Sequence, residues 1–172
     1  MESYWNYYLN KKIKKVVYMH ATPWYNIKCR KDKEKAKEWI KMIDYKYVNV
    51  NPKGRKTGDC STRALVGALG ITYEEALKLQ CEEAIKSCYG ITDKQVMERV
   101  LKCYGYVKMK QPRKPNGKKY TVGELDEILT SKQLEEGVLV TVARHNTCIK
   151  NGYLQDIWDC RYKSVGNYYV KG

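Results

Sequence analysis

Apolar positions along the chain change their spacing about two-thirds of the way through. Before Gly105 they recur at helical intervals, whereas from Gly137 they crowd into short runs of Val, Leu, Ile and Thr. Ala36, Trp39, Ile40 and Ile43, separated by Lys and Glu, predict a helix over 32–44. The stretch 49–58, NVNPKGRKTG, lacks any period and reads as a loop. Asp59 then caps a helix through Cys60, Arg63, Ala64, Leu65, Ala68 and Leu69, which stops at Gly70 because glycine tolerates positive φ. Thr72 with Glu75 forms a capping box that opens a second helix running to about Cys88. Thr92 with Gln95 opens a third, ending at Gly105. Residues 106–109 read as a strand and 111–119, QPRKPNGKK, as a basic, turn-rich loop. Thr121 with Glu124 starts a short helix that ends near Leu129.

The last third reads as strands over 137–149, 153–158 and 168–170. Asn151 and Gly152 between the first two runs signal a tight hairpin, since a type I′ turn needs positive φ at both positions. With that turn pairing Lys150 and Tyr153, His145 falls opposite Trp158 and Thr147 opposite Asp156. Alternation puts all four side chains on one face and sends Asp159 to the other. The expected class is α+β: helices first, then an antiparallel sheet.

Composition narrows this picture. A length of 172 residues suits a single domain over 1–172, with 1–48 as a basic N-terminal extension. No apolar run is long enough to span a bilayer, and the first residues lack the pattern of a secretion signal, so no membrane contact and a cytoplasmic location are expected. The seven cysteines include no CxxC or CxH pair, so free thiols are expected, with no metal and no cofactor. The net charge of +14 suits nucleic acid or an acidic partner. The candidate anion-binding residues are Lys11, Lys12, Lys14 and Lys15 among aromatics, and Arg113, Lys114, Lys118 and Lys119 in the second basic loop.

One set of residues carries chemistry. Cys60 sits in the first turn of a helix, where the peptide dipoles favour a thiolate. His145 has Asp156 as its diagonal neighbour across the hairpin, close enough to hold one tautomer and stabilise the imidazolium. Asp59 opposes the thiolate unless its charge is engaged in capping. A nucleophilic Cys60, a general base His145 and an orienting Asp156 are the expected parts, with backbone N–H groups at the helix start for an oxyanion.

The strings Thr57-Gly-Asp-Cys-Ser-Thr-Arg-Ala-Leu, Arg144-His-Asn-Thr-Cys-Ile-Lys-Asn-Gly and Asp156-Ile-Trp-Asp resemble papain-like cysteine peptidases, in particular small uncharacterised members from bacteria and phages. The resemblance covers about 49–160. It implies the order Cys60, His145, Asp156, with the cysteine opening a central helix packed on the sheet, and a Trp158 that shields the His and Asp from water. The family's side-chain oxyanion donor, commonly a Gln six positions before the cysteine, falls on Gly54; Asn51, with Asn49 behind it, is the substitute. The implied activity is a thiol hydrolase of peptidase or amidase type acting on a protein or peptide, in a bacterial cell or a phage-infected host. The alternative is a non-catalytic papain-fold protein that binds nucleic acid or a host-defence protein through its basic surface.

Overall fold

The computed structural model describes residues 42–56 and 58–172, which fall within one compact unit. Local signals build its helices. Asp59 precedes α1 (Cys60–Leu69), and Gly70 ends it at φ 68°, its N–H donating to Val66 O at 2.9 Å. The Thr72 and Glu75 capping box opens α2 (Tyr73–Ser87). α3 (Lys94–Cys103) is capped by Asp93, whose carboxylate accepts from Gln95 N–H, and not by Thr92 as the sequence pattern suggests. Glu124 does reach back to the Thr121 N–H, but the turn opened there is a 3₁₀ helix, Val122–Glu127. A further helix, α4 (Ser131–Glu136), starts from a capping box of Thr130 and Gln133.

Among the described residues, six strands form one sheet: β1 (Asp44–Tyr47), β2 (Tyr106–Met109), β3 (Val138–Val142), β4 (His145–Lys150), β5 (Tyr153–Asp156) and β6 (Tyr168–Lys171), in the order β1-β5-β4-β3-β6-β2. The sheet is mixed, which corrects the expected antiparallel one: β1 pairs parallel with β5, and only the other pairs are antiparallel. The sequence pattern places the residues of β1 in an N-terminal extension over 1–48 and at the end of a helix over 32–44. Instead they form an edge strand, and Ile43 before them is buried; the rest of that helix lies outside the described residues. The single strand expected over 137–149 is two strands joined at Ala143 and Arg144, with Arg144 at φ 58°. The β4–β5 hairpin keeps its predicted register, pairing Lys150 with Tyr153 and Cys148 with Gln155.

Apolar side chains pack on both faces of the sheet. Ala64, Leu65 and Ala68 of α1, with Met97, Val100 and Leu101 of α3, pack against Leu139, Cys148 and Tyr169. Val138, Val140, Ile149 and Leu154 meet Val122, Leu125 and Val165 in a second cluster. Each such fully buried aliphatic side chain contributes about 1.5–3 kcal/mol. α1 docks on β4 without a spacer. A Cβ on Gly67 would lie 2.8 Å from Cys148 Cβ and 2.9 Å from its sulfur, so only glycine allows this approach. Asn146 Nδ2 donates to Ser61 Oγ at 2.8 Å at one end of the seam, and Lys150 Nζ donates to Gly67 O at 3.3 Å at the other. This seam fixes where the start of α1 lies relative to the start of β4. Among the described residues, no helix is long and apolar enough to cross a membrane.

Candidate active site

The starts of α1 and β4 bring Cys60 and His145 together at the floor of an open cleft of about 830 Å³. His145 is the first residue of β4, and its Nε2 lies 2.7 Å from Asp156 Oδ2 at the end of β5. The other ring nitrogen is left for Cys60, with which the imidazole is also hydrogen-bonded. Asp156 is only 4% exposed. Its second oxygen accepts from the N–H of Ile157 (2.7 Å) and of Trp158 (3.4 Å), so the carboxylate cannot turn away from the ring.

These contacts set the charge state. The His145 hydrogen bond draws the Cys60 thiol below its usual 9.0 against the cost of burial, helped by the Asn146 backbone. Burial opposes the charge on His145, yet the hydrogen bonds from Asp156 and Cys60 override it and push the imidazole up to about 9. Burial likewise opposes ionisation of Asp156, and the hydrogen bonds from His145 and from the Ile157 N–H help to outweigh it and hold the carboxyl below the ordinary 3.8. The contact between the two thus acts in one direction on both groups, favouring the proton on His145 and the thiolate at Cys60.

The carboxylate beside Cys60 is engaged, but not by capping. Asp59 makes no side-chain bond to the helix start. One of its oxygens is held by Arg63, one turn into α1, and the other accepts from Asn51 Nδ2 (2.8 Å) and from the Tyr73 hydroxyl (3.1 Å). An i, i+4 Asp and Arg pair at a helix start is visible in the sequence; Asn51 and Tyr73 converge only through the fold.

The same bonds correct the oxyanion assignment. Asn51 Nδ2 gives its protons to Asp59 and to the Tyr73 hydroxyl (3.0 Å), and Asn49 Nδ2 donates to Arg55 O (3.2 Å). Neither amide is aimed at Cys60. The N–H that does meet the thiol is the backbone amide of Asn146, a residue that sequence reasoning passes over because it sits next to a more conspicuous histidine. Trp158 packs edge-on to His145, with ring centroids 5.1 Å apart, and keeps 37% of its surface exposed.

The basic loop is mostly occupied with itself. Lys114 pairs with Glu124 at 2.9 Å and lies over the Tyr120 ring, and Arg113 donates to Gly117 O at 2.9 Å. Of the four anion-binding candidates there, only Lys118 and Lys119 keep exposed side chains without such partners among the described residues. Lys11, Lys12, Lys14 and Lys15 lie outside the described residues.

All six cysteines among the described residues are free. Behind the site, donor atoms of His145, Asp156 and Cys160 lie within 4.8 Å of one another. Burial pushes the Cys160 thiol up to about 12, so it is protonated. A metal there would have to displace both that proton and the bond between His145 and Asp156, and the donor set fits a hydrogen-bonded cluster better than a cation site.

Comparison with known proteins adds no relative: no family model matches the chain, and no curated protein or solved structure matches it.

Proposed function

We propose that this chain is a cysteine-dependent hydrolase of papain-like arrangement that acts on amide or related acyl bonds. The observation that carries this reading is His145 held at 2.7 Å by a buried carboxylate while it hydrogen-bonds a helix-start cysteine in an open cleft. The chain order of nucleophile, base and acid, and the cysteine opening a helix packed on the sheet, support the papain-like form.

In this mechanism the Cys60 thiolate attacks the acyl carbon. The oxyanion that forms is met by N–H groups at the start of α1 and by the backbone N–H of Asn146. His145 passes its proton to the leaving amine as the C–N bond breaks, which leaves a thioester on Cys60. Water then enters, His145 takes a proton from it, and the C–S bond breaks to release the acid and restore the thiolate. Asp156 holds the ring and balances its charge throughout. Trp158 covers one edge of the imidazole.

Limited alkylation with iodoacetamide at pH 7, read by peptide mass mapping, tests the reading. Cys60 is expected to label first, at least about tenfold faster than the exposed Cys81, Cys88 and Cys103, and a His145→Ala exchange is expected to remove that lead. Labelling of Cys60 at the pace of the other three would leave a non-catalytic binding protein as the better account.

A further inference from the structure

We infer that the Cys60 cleft selects acyl substrates that carry a carboxylate close to the reacting bond, that is, acidic peptides; the inference rests on the hydrolase reading and concerns what the same site accepts. Its basis is the charge on the cleft walls. Lys53 and Arg55 come from the loop before α1, Lys94 from the start of α3, and Arg144 from the β3–β4 turn immediately before His145, and all four side chains are exposed. Among the described residues, the only carboxylate on the lining is Asp59, which is already neutralised by Arg63. Glu98 lies 3.5 Å from Lys94 and offsets it. Among the described residues, nothing pairs with the side chains of Lys53, Arg55 or Arg144.

The sum of these charges has a definite sign. In the thiolate and imidazolium state, Cys60, His145 and Asp156 together carry one negative charge, and three unpaired cations stand around them. The cleft is therefore positive when it is empty. A concave site with low-dielectric walls concentrates that field on whatever enters.

Two placements make this a matter of selection and not of general attraction. Arg144 is one residue from the base, in a tight turn where its backbone is held at φ 58°, a conformation that non-glycine residues adopt at a cost. Arg55 is tethered through its own carbonyl, which accepts from Asn49 Nδ2 at 3.2 Å. The two guanidiniums thus reach the cleft lining from two separate elements, the loop before α1 and the turn before β4. Guanidinium suits a carboxylate because its planar fork takes two oxygens at once. A nucleic acid would want stacking surfaces as well. Apart from the imidazole of the base, Tyr73 is the sole aromatic ring on the lining among the described residues, and its hydroxyl is tied to Asp59 and Asn51.

Paired probes of nearly equal size, one anionic and one neutral, separate this inference from the reading beneath it. Iodoacetate and iodoacetamide both form an S–C bond to Cys60 as the C–I bond breaks and iodide leaves; one carries a carboxylate and the other a neutral amide. Fast iodoacetamide labelling reports the activated thiol. The ratio of the iodoacetate rate to the iodoacetamide rate at Cys60, divided by the same ratio at Cys103, reports the cleft's charge.

We expect that normalised ratio to exceed one, to fall about fivefold in Arg55→Ala/Arg144→Ala, and to fall in the unaltered protein as salt rises. A synthetic peptide set with Glu, Gln or Lys at each position should be cut at the Glu members. A normalised ratio of one or below in the unaltered protein, with Cys60 still labelling fast, would overturn the inference and leave the hydrolase standing. So would equal cutting of the Gln and Glu peptides, or a single-stranded oligonucleotide that protects Cys60 from iodoacetamide at physiological salt.

Discussion

Cys60 and Cys160 flank the same imidazole, yet the fold treats their thiols in opposite ways. Cys60 opens a helix at the floor of a cleft and is pulled toward thiolate by His145. Cys160 lies fully buried behind Asp156, where burial and that carboxylate hold its proton on up to about 12. Cys148, also buried and also near 12, serves as packing against Gly67. Nearness to the imidazole does not by itself lower a thiol's pKa. The difference lies in what else faces the sulfur: a hydrogen-bonded imidazole and backbone on one side, an apolar interior and a negative charge on the other.

The hardest blow to this contrast is removal of the base. His145→Ala is expected to lower hydrolysis by about 10³-fold and to slow Cys60 alkylation to the pace of Cys103, while thermal stability changes far less than activity. Substituting Asp156→Asn is milder. We expect about a 10²-fold fall in hydrolysis, and the alkaline limb of the rate profile should move down from about 9, because the bond that raises the imidazole is weakened. An unchanged alkaline limb would mean that Asp156 does not set the charge on His145.

The pH dependence of stability has its origin in the same groups. The folded imidazole titrates above its unfolded 6.5, so its contribution to stability is complete below 6.5 and is lost as pH rises through about 9. Asp156 titrates below 3.8 in the folded chain, so its contribution is present above 3.8 and is lost as pH falls through the depressed value. Melting temperatures scanned from about pH 5 to about pH 10 should therefore decline on the alkaline side, and the decline should be shallower in His145→Gln.

The smallest expected effect sharpens the geometry. Gly67→Ala forces a Cβ against Cys148 and should cost about 1–3 kcal/mol of stability. Because the seam also sets the spacing of Cys60 and His145, hydrolysis at a temperature where the variant is fully folded should fall by more than the population of unfolded chain accounts for. Full activity in the folded variant would uncouple the seam from the site.

How much of this is legible in the sequence depends on how local each signal is. The Asn151 and Gly152 turn pins the β4–β5 register, and that register alone places Asp156 near His145. Thr72 with Glu75, and Gly70, mark their helix ends from within a few residues. The failures are of two kinds. The Ala143 and Arg144 turn has no glycine or asparagine, so nothing announces that Arg144 will take positive φ and split an apolar run in two. β1 is fixed by parallel pairing to a strand far along the chain, which no local period can report, and Ile43 suits a helix stripe or a buried strand approach equally well. Asn51, nine positions before Cys60 and the substitute for a donor at Gly54, is spent on Asp59 and Tyr73, partners that only the fold supplies.

The place of β6 has a consequence for biosynthesis. Among the described residues, β2 finds its neighbour in the sheet only in β6, the last of the six strands to be translated. A nascent chain on the ribosome therefore carries β2, with Val107 and Met109, as a bare ribbon edge until β6 has emerged. By then Cys60, His145 and Asp156 have all been made. Cys60, His145 and Asp156 thus belong to a scaffold whose sheet closes only after all three have been translated.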